Sequence, residues 1–402
     1  MSESSLSPKD AKPDGFELRL SVLFGMMFVP NAVHLAFFPL WLQETGFSTV
    51  EISTLLTAPV VMRLIATLPV TYLADRSPER AYVVIASATF SFILSLLLFA
   101  DLRFSGLLTL MCAMSASWSP QVPLADSIAV SGVRRFGIDY ASTRVWGSIA
   151  FLAMSVAAGF IVERYGSRSV PYMIAGGFAA ILAASFFTPR LGRRRQLSGD
   201  SLQPSANRSL RRPAVLIFLL ATGLIQGSHG FLYSFGSIYW KDNGLTAEFV
   251  GILWAVQVLA EIVLFKAYSR LFGRVRPETV LMIAGALVVI RWLLTPFFGV
   301  WGFGFTGFAL LQCVHAFSFG ATYLAQQSYL AHAVPEGQAG SAQGLAVFIH
   351  GAVLSITMFA AGPIYDAFKG YGFIVMAFVA IAGILLSYRF ATLHAWEVQA
   401  AG

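Results

Sequence analysis

The sequence predicts an all-α membrane protein: twelve transmembrane helices arranged as two pseudo-symmetric six-helix bundles. Three observations lead there. Of 402 residues, 57% are hydrophobic and only 12% are charged, and the mean hydropathy is +0.71, outside the range of soluble globular chains. Twelve apolar runs each approach the roughly 20 residues needed to cross about 30 Å of hydrocarbon. One long polar stretch, Pro189 to Pro213, divides them six and six.

Spans 1 to 6 are expected at 18–42, 49–74, 81–100, 105–131, 139–163 and 169–188. Spans 7 to 12 are expected at 213–240, 247–269, 278–298, 302–332, 341–366 and 371–393. The domain organisation is then an N-terminal bundle 1–188, a basic cytoplasmic linker 189–212 and a C-terminal bundle 213–402. The linker is rich in Arg, Ser and Pro, a composition of flexible connections. Residues 1–17 are polar and lack the basic-plus-apolar pattern of a cleaved signal, so span 1 is expected to remain in the mature chain.

Lys and Arg set the expected orientation. With both ends inside, 18 of the 27 basic residues fall on the inner side, among them Lys9, Arg80, Arg134, Arg135 and seven arginines from Arg190 to Arg212. That bias places both termini in the cytoplasm. It also accounts for the net charge of +7. Anionic lipid headgroups suffice as partners for those arginines, and no nucleic-acid partner is expected. Cys112 and Cys313 sit in apolar context without metal spacing and are expected as buried small hydrophobes. No metal or other cofactor is expected.

The halves resemble each other. Asn31, His34, Phe38 and Trp41 line one face of span 1, as Gln226, His229, Tyr233, Ser237 and Trp240 do in span 7. Both spans run into a short loop holding Gly46 or Gly244. A shift of 198 residues brings Arg63 onto Glu261, and a shift of 200 brings Leu124–Ala125–Asp126 onto Leu324–Ala325–Gln326. Ala157–Ala158–Gly159 recurs as Ala360–Ala361–Gly362. Repeated halves with polar residues near mid-membrane are the mark of alternating-access transporters.

Asp126 and Arg144 are opposite charges in neighbouring spans, each nine residues from Arg135, so a hairpin turning there sets them at similar depth. An isolated charge in hydrocarbon costs roughly 3 kcal/mol on insertion scales, so such groups are paired, cavity-facing and functional. Further polar stripes run along span 5 (Arg144, Ser148, Phe151, Ser155), span 8 (Trp254, Gln257, Glu261, Phe265, Tyr268) and span 10 (Gln312, His315, Phe319, Thr322, Gln326). Aligned stripes of this kind suit a wet cavity, although a single Gln or Ser is equally explained by a hydrogen bond to the next helix. Arg63, Glu261 and Arg291 lie near mid-span. His34, His315 and His350 are compatible with neutral packed histidines, and Asp126–Arg144 with a purely structural tie.

No Gly-x-x-x-x-Gly-Lys-Ser/Thr loop, His-Glu-x-x-His or Gly-x-Ser-x-Gly occurs, so neither ATP coupling nor enzymatic activity has a motif. An ion gradient is the simpler energy source. Burial favours a protonated carboxyl and a nearby arginine favours the carboxylate, so moving the arginine switches proton affinity. Asp126 with Arg144, and Glu261 with Arg291 or His229, have the composition for this. A released arginine grips an anionic substrate through paired hydrogen bonds.

Over nearly its full length the chain resembles the major facilitator superfamily, within it the phenylpropionate permease branch related to lactose permease. Ser119–Pro120, Pro123–Leu124–Ala125–Asp126, Asp139–Tyr140 and Arg144–Val145–Trp146–Gly147–Ser148 carry the resemblance. Gln226–Gly227–Ser228–His229, Ile238–Tyr239–Trp240, Val258–Leu259–Ala260–Glu261, Arg291–Trp292 and His315 extend it. It implies twelve helices and proton-driven uptake across the bacterial inner membrane. In lactose permease the acid and arginine similar to Asp126 and Arg144 bind sugar, and the arginine and histidine similar to Arg291 and His315 serve proton coupling. One turn after His315 stands Ser318, where lactose permease has its proton-binding carboxylate, so Glu261 is the expected replacement. Thr71–Tyr72–Leu73–Ala74–Asp75–Arg76 departs from the loop motif after span 2 by Thr in place of Gly, and Asp75 and Arg76 are expected to govern conformational change.

The combined expectation is a monomeric proton symporter importing a small organic solute, with an aromatic carboxylate such as 3-phenylpropionate favoured. Asp126, Arg144, Trp146, His229, Tyr233 and Arg63 are the expected substrate residues, and Glu261, Arg291 and His315 the proton-coupling residues. An oligosaccharide or nucleoside symporter, a drug exporter, and a non-transporting sensor or scaffold are the alternatives.

Overall fold

The computed structural model describes residues 12–192, 210–335 and 338–401, with side chains described to residue 393. Most of the expected linker lies outside them, as do Lys9, Arg193, Arg194, Arg195 and Arg208. The described residues form helices and short connections, without a strand.

The N-terminal half runs α1 (Phe16–Glu44), α2 (Thr49–Arg76), α3 (Arg80–Leu96), α4 (Phe104–Trp118), α5 (Gln121–Phe136), α6 (Tyr140–Tyr165) and α7 (Val170–Phe186). The C-terminal half runs α8 (Pro213–Gly227), α9 (Gly230–Asp242), α10 (Ala247–Phe272), α11 (Pro277–Val300), α12 (Gly304–Cys313), a π-helical turn Ala316–Ala321, α13 (Thr322–Ala333), α14 (Ala339–Phe368) and α15 (Gly372–Ala401). Ten helical stretches are long and apolar enough to cross a membrane. One of these, Ala339–Leu393, contains both α14 and α15. The α4–α5 pair completes the twelve: at 15 and 16 residues, each half alone is shorter than a span.

Three expected continuous spans are broken. The fourth parts at Ser119–Pro120, where proline has no N–H to continue the ladder. The seventh parts at Ser228–His229 between Gly227 and Gly230, against which α14 packs so closely that Thr357 Oγ1 donates to the Gly227 carbonyl at 2.6 Å. The tenth passes through the π-helical turn, a form that occurs mostly as a local bulge and often at functional sites.

The halves repeat in local detail. At the end of α1, Gly46 takes φ +93°, with Gly46 N–H donating to Gln43 O and Phe47 N–H to Leu42 O. At the end of α9, Gly244 takes φ +82°, with Gly244 N–H donating to Lys241 O and Leu245 N–H to Trp240 O. Both are left-handed helix caps that a side chain would strain. Ser48 and Thr246 then cap the following helices; Ser48 exchanges bonds with Glu51 in a capping box (2.9 and 3.3 Å).

Two compact units result: Met1–Trp41 with Ala58–Leu197, and Leu42–Thr57 with Ser198–Gly402. Residues 42–57, around the turn between α1 and α2, cluster with the second unit. Within the second unit α8 and α9 are the most enclosed, and Trp240, Trp254, Trp292 and Arg291 are almost fully buried. Large apolar side chains such as Leu68, Phe90, Ile356 and Phe378 face outward, as lipid contact requires. Cys112 is half-buried and Cys313 exposed, not buried as expected. In a membrane chain an apolar context is satisfied by lipid as well as by core.

Candidate functional site

In the C-terminal unit, a discontinuous helix pair, the π-helical turn and two continuous helices converge on Arg291. Its Nη1 lies 3.3 Å from His229 Nε2 and 3.2 Å from His315 Nδ1. Its Nη2 donates to Gln312 Oε1, and its guanidinium sits 4.6 Å from the Trp292 ring centre. Guanidinium has only donors, so both facing imidazole nitrogens accept. His229 therefore carries its proton on Nδ1, donated to the Gln226 carbonyl at 2.9 Å. His315 carries its proton on Nε2, facing Glu261 Oε1 at 2.8 Å. The two histidines are thus held in opposite tautomers, and Glu261 is the acceptor at the end of the chain.

Arg291 and Glu261 form an ion pair bridged by one imidazole. The sequence pairs Glu261 with Arg291 or His229; in the structure His315 stands between Glu261 and Arg291. Helical spacing gives the face of each residue but not the offset between helices. Gln312 extends the network through Nε2 to the Leu253 carbonyl and Gln257 Oε1, both at 3.4 Å. Ser318 Oγ lies 3.0 Å from His229 Nε2 and 3.2 Å from the His315 carbonyl. Tyr233 is the one residue from Gly230 to Trp240 that is not fully buried, between the His229 and Trp254 rings at 5.9 and 6.1 Å.

In the N-terminal unit, the α5–α6 hairpin brings Asp126 and Arg144 together as its spacing implied. Arg144 Nε lies 3.7 Å from Asp126 Oδ1, and Tyr140 donates its hydroxyl to the same oxygen at 3.0 Å. Gly137 in the left-handed region closes α5, and Asp139 caps α6 by accepting from Ala141 and Ser142 N–H. The Arg144 guanidinium sits 4.6 Å from the centre of Phe28 and 5.3 Å from Phe24. Arg63 is exposed in mid-α2, and its side chain makes no hydrogen bond or ion pair among the described residues. An unpaired arginine at that depth belongs to a wet surface rather than to lipid.

Trp146 does not join this group. Two residues from Arg144, it points to another side of α6 and lines a groove against α1 with Leu18, Val22 and Met26, about 560 Å³ in volume. Of the loop residues, Asp75 binds Arg80 at 2.9 Å, and Arg80 continues to Ser131 Oγ at 3.1 Å. Arg76 instead covers the Tyr72 ring at 4.3 Å. Sequence reasoning singled out neither Arg80, a few residues past the motif, nor Tyr140 as the partner of Asp126. Gln312 stood on its polar stripe without an assigned role.

Residues 18–376 match the family described as MFS_1 like. The chain belongs to that family. Among relatives of this MFS_1 like protein, the "Probable 3-phenylpropionic acid transporter" of Escherichia coli (strain K12) is 28% identical over 372 residues, 89% of this chain and 94% of that protein. The "Maltose permease" of Geobacillus stearothermophilus is 26% identical, covering 69% of this chain and 63% of the permease. The solved structure of the nucleoside transporter NupG superposes with a TM-score of 0.77 at 17% identity, over 94% of this chain and 99% of that one. The MFS_1 like protein is therefore a multi-pass membrane transporter of the major facilitator type.

Proposed function

We propose that the protein is a monomeric proton symporter that imports an aromatic carboxylate such as 3-phenylpropionate across the bacterial inner membrane by alternating access. Both termini are cytoplasmic, in line with the Lys and Arg bias. The observation that carries the proton assignment is the buried chain Arg291–His315–Glu261, with Glu261 accepting at 2.8 Å. With Glu261 ionised the chain is neutral. A proton on Glu261 leaves the Arg291 charge uncompensated in a dry surround, a costly state that an anionic substrate relieves. Proton and carboxylate thereby favour each other's binding.

In the N-terminal unit Arg63 and the Asp126–Arg144 pair are the substrate residues, and in the C-terminal unit His229 and Tyr233 are. Arg63 supports an anionic substrate because it is exposed and, among the described residues, unpaired. Similarity over 89% of the chain to a probable 3-phenylpropionic acid transporter supports the aromatic class. Asp126 with Tyr140 also suits hydroxyl binding, which favours an oligosaccharide or nucleoside as the second reading. Asp75 governs conformational change through Arg80, and lipid headgroups meet the cytoplasmic arginines.

Purified protein in vesicles with an imposed inward proton gradient tests the reading. Wild type accumulates labelled 3-phenylpropionate, and Glu261→Gln loses accumulation while retaining substrate exchange. Accumulation by Glu261→Gln at the wild-type level sinks the proton assignment. A ligand-stabilisation screen with aromatic acids, maltose and nucleosides decides the substrate class.

A further inference from the structure

One face of α1 stays half-buried at Phe28, Asn31, His34 and Leu35, although the residues from Ala36 to Leu40 are fully buried. His34 on this face is held by aromatic rings. It stacks on Phe38 (centroids 4.7 Å apart, 18° between planes) and meets Trp118 edge-on at 5.7 Å. Trp118 is itself fixed against the fully buried Phe178 at 5.2 Å. Nothing in the fold needs an imidazole here, since a phenyl ring would make the same contacts. Yet His34 Nε2 is buried and has no hydrogen-bond partner among the described residues. Native structures leave few such atoms, and each calls for an explanation, a ligand among them.

The surroundings say what would satisfy it. Phe28, which carries the Arg144 guanidinium, lies six residues earlier on α1, about 9 Å along the axis. On the other side, Ser119 next to Trp118 contacts Thr67 Oγ1 at 3.3 Å, one turn from the unpaired Arg63. Guanidinium groups thus flank the clamp on two sides, one over Phe28 and one a turn from Thr67. A carboxylate at His34 itself would be a charge set among apolar aromatic rings without a countercharge, which disfavours an anion. A hydroxyl both donates and accepts, so it satisfies Nε2 in either tautomer.

We infer that His34, Phe38 and Trp118 form the aryl subsite, and that His34 Nε2 hydrogen-bonds a hydroxyl on the ring, making hydroxylated aryl carboxylates the preferred substrates. The inference rests on the aromatic-carboxylate reading above and narrows it. The test measures binding of 3-phenylpropionate and its 3-hydroxyphenyl and 4-hydroxyphenyl analogues to purified wild type, His34→Phe and His34→Gln. Wild type should prefer one hydroxylated acid by about fivefold, the size of one neutral hydrogen bond. His34→Phe, which keeps the stacking, should lose that preference. His34→Gln, whose amide reaches the same position, should retain it and serves if the Phe variant does not fold. Wild type binding all three acids equally, or His34→Phe keeping the preference, overturns the hydroxyl assignment alone. Wild type binding none of them overturns both this assignment and the substrate class.

Discussion

Ser318 Oγ lies 3.0 Å from His229 Nε2, so a neutral hydroxyl occupies the place where the resemblance to lactose permease would put a carboxylate. Among the described residues the network around Arg291 therefore holds one acid, Glu261, reached through His315. If the acid carries the proton, Ser318 only steadies an imidazole that Arg291 also contacts. Ser318→Ala should then lower gradient-driven uptake about fivefold, the worth of one neutral hydrogen bond near 1 kcal/mol. Accumulation should persist. Parallel uptake curves for Ser318→Ala and Glu261→Gln check this ordering, and equal loss in both would count against Glu261 as the proton carrier.

Arg291→Lys should not be conservative. The guanidinium engages His229, His315 and Gln312 from two nitrogens at once, and it is 1% exposed. A lysine ammonium is a single point that cannot span these acceptors. Breaking a buried pair costs about 3–5 kcal/mol when one partner is removed. The substitution keeps the charge, so a smaller loss of stability is expected, with accumulation lost because His315 is no longer held in its tautomer. Thermal melting and vesicle uptake on the same preparation separate the two effects.

Tyr140→Phe removes the hydroxyl that donates to Asp126 Oδ1 and leaves Arg144 as its partner at 3.7 Å. A hydrogen bond to a charged group is worth about 1.5–3 kcal/mol, so substrate affinity should fall by about tenfold or more if Asp126 binds ligand through this geometry. Asp126→Asn should reduce binding further with the folded yield largely unchanged. A collapse in yield instead would make the pair a structural tie between α5 and α6.

Much of this site was written in residue spacing. Asp126 and Arg144 stand equally far from Arg135, and a hairpin needs nothing else to align them. The spans were legible because hydrocarbon imposes length and apolarity on every helix that crosses it. The breaks were less so: Pro120 signals one and Gly227 and Gly230 flank another, but Ala316–Ala321 follows from packing that no local pattern encodes. The π-helical turn also changes the azimuth of the tenth span near His315. The sequence places Glu261 and Arg291 at one depth but does not say that His315 stands between them. Trp146 fell on the wrong side of α6 for a related reason, since a motif shared with relatives does not say which face each member occupies.

The break between α8 and α9 depends on glycine, and this can be measured. A Cβ on Gly230 would overlap Thr357 Oγ1 and lie 2.8 Å from the Met358 backbone nitrogen, so relief requires α14 itself to move. At Gly176 in α7 a Cβ would meet nothing within 4 Å. Gly230→Ala should therefore destabilise by about 1–3 kcal/mol through overpacking. Gly176→Ala should be neutral or stabilising by up to about 1 kcal/mol, because alanine costs less backbone entropy in a helix. Melting temperatures of the two purified variants, with wild type alongside, give the comparison. His229 is the N-cap residue of α9, next to Gly230, so the first variant should also weaken the Arg291 contacts and lose transport more than its stability alone explains. If Gly230→Ala melts and transports like wild type, α14 does not hold the break in place.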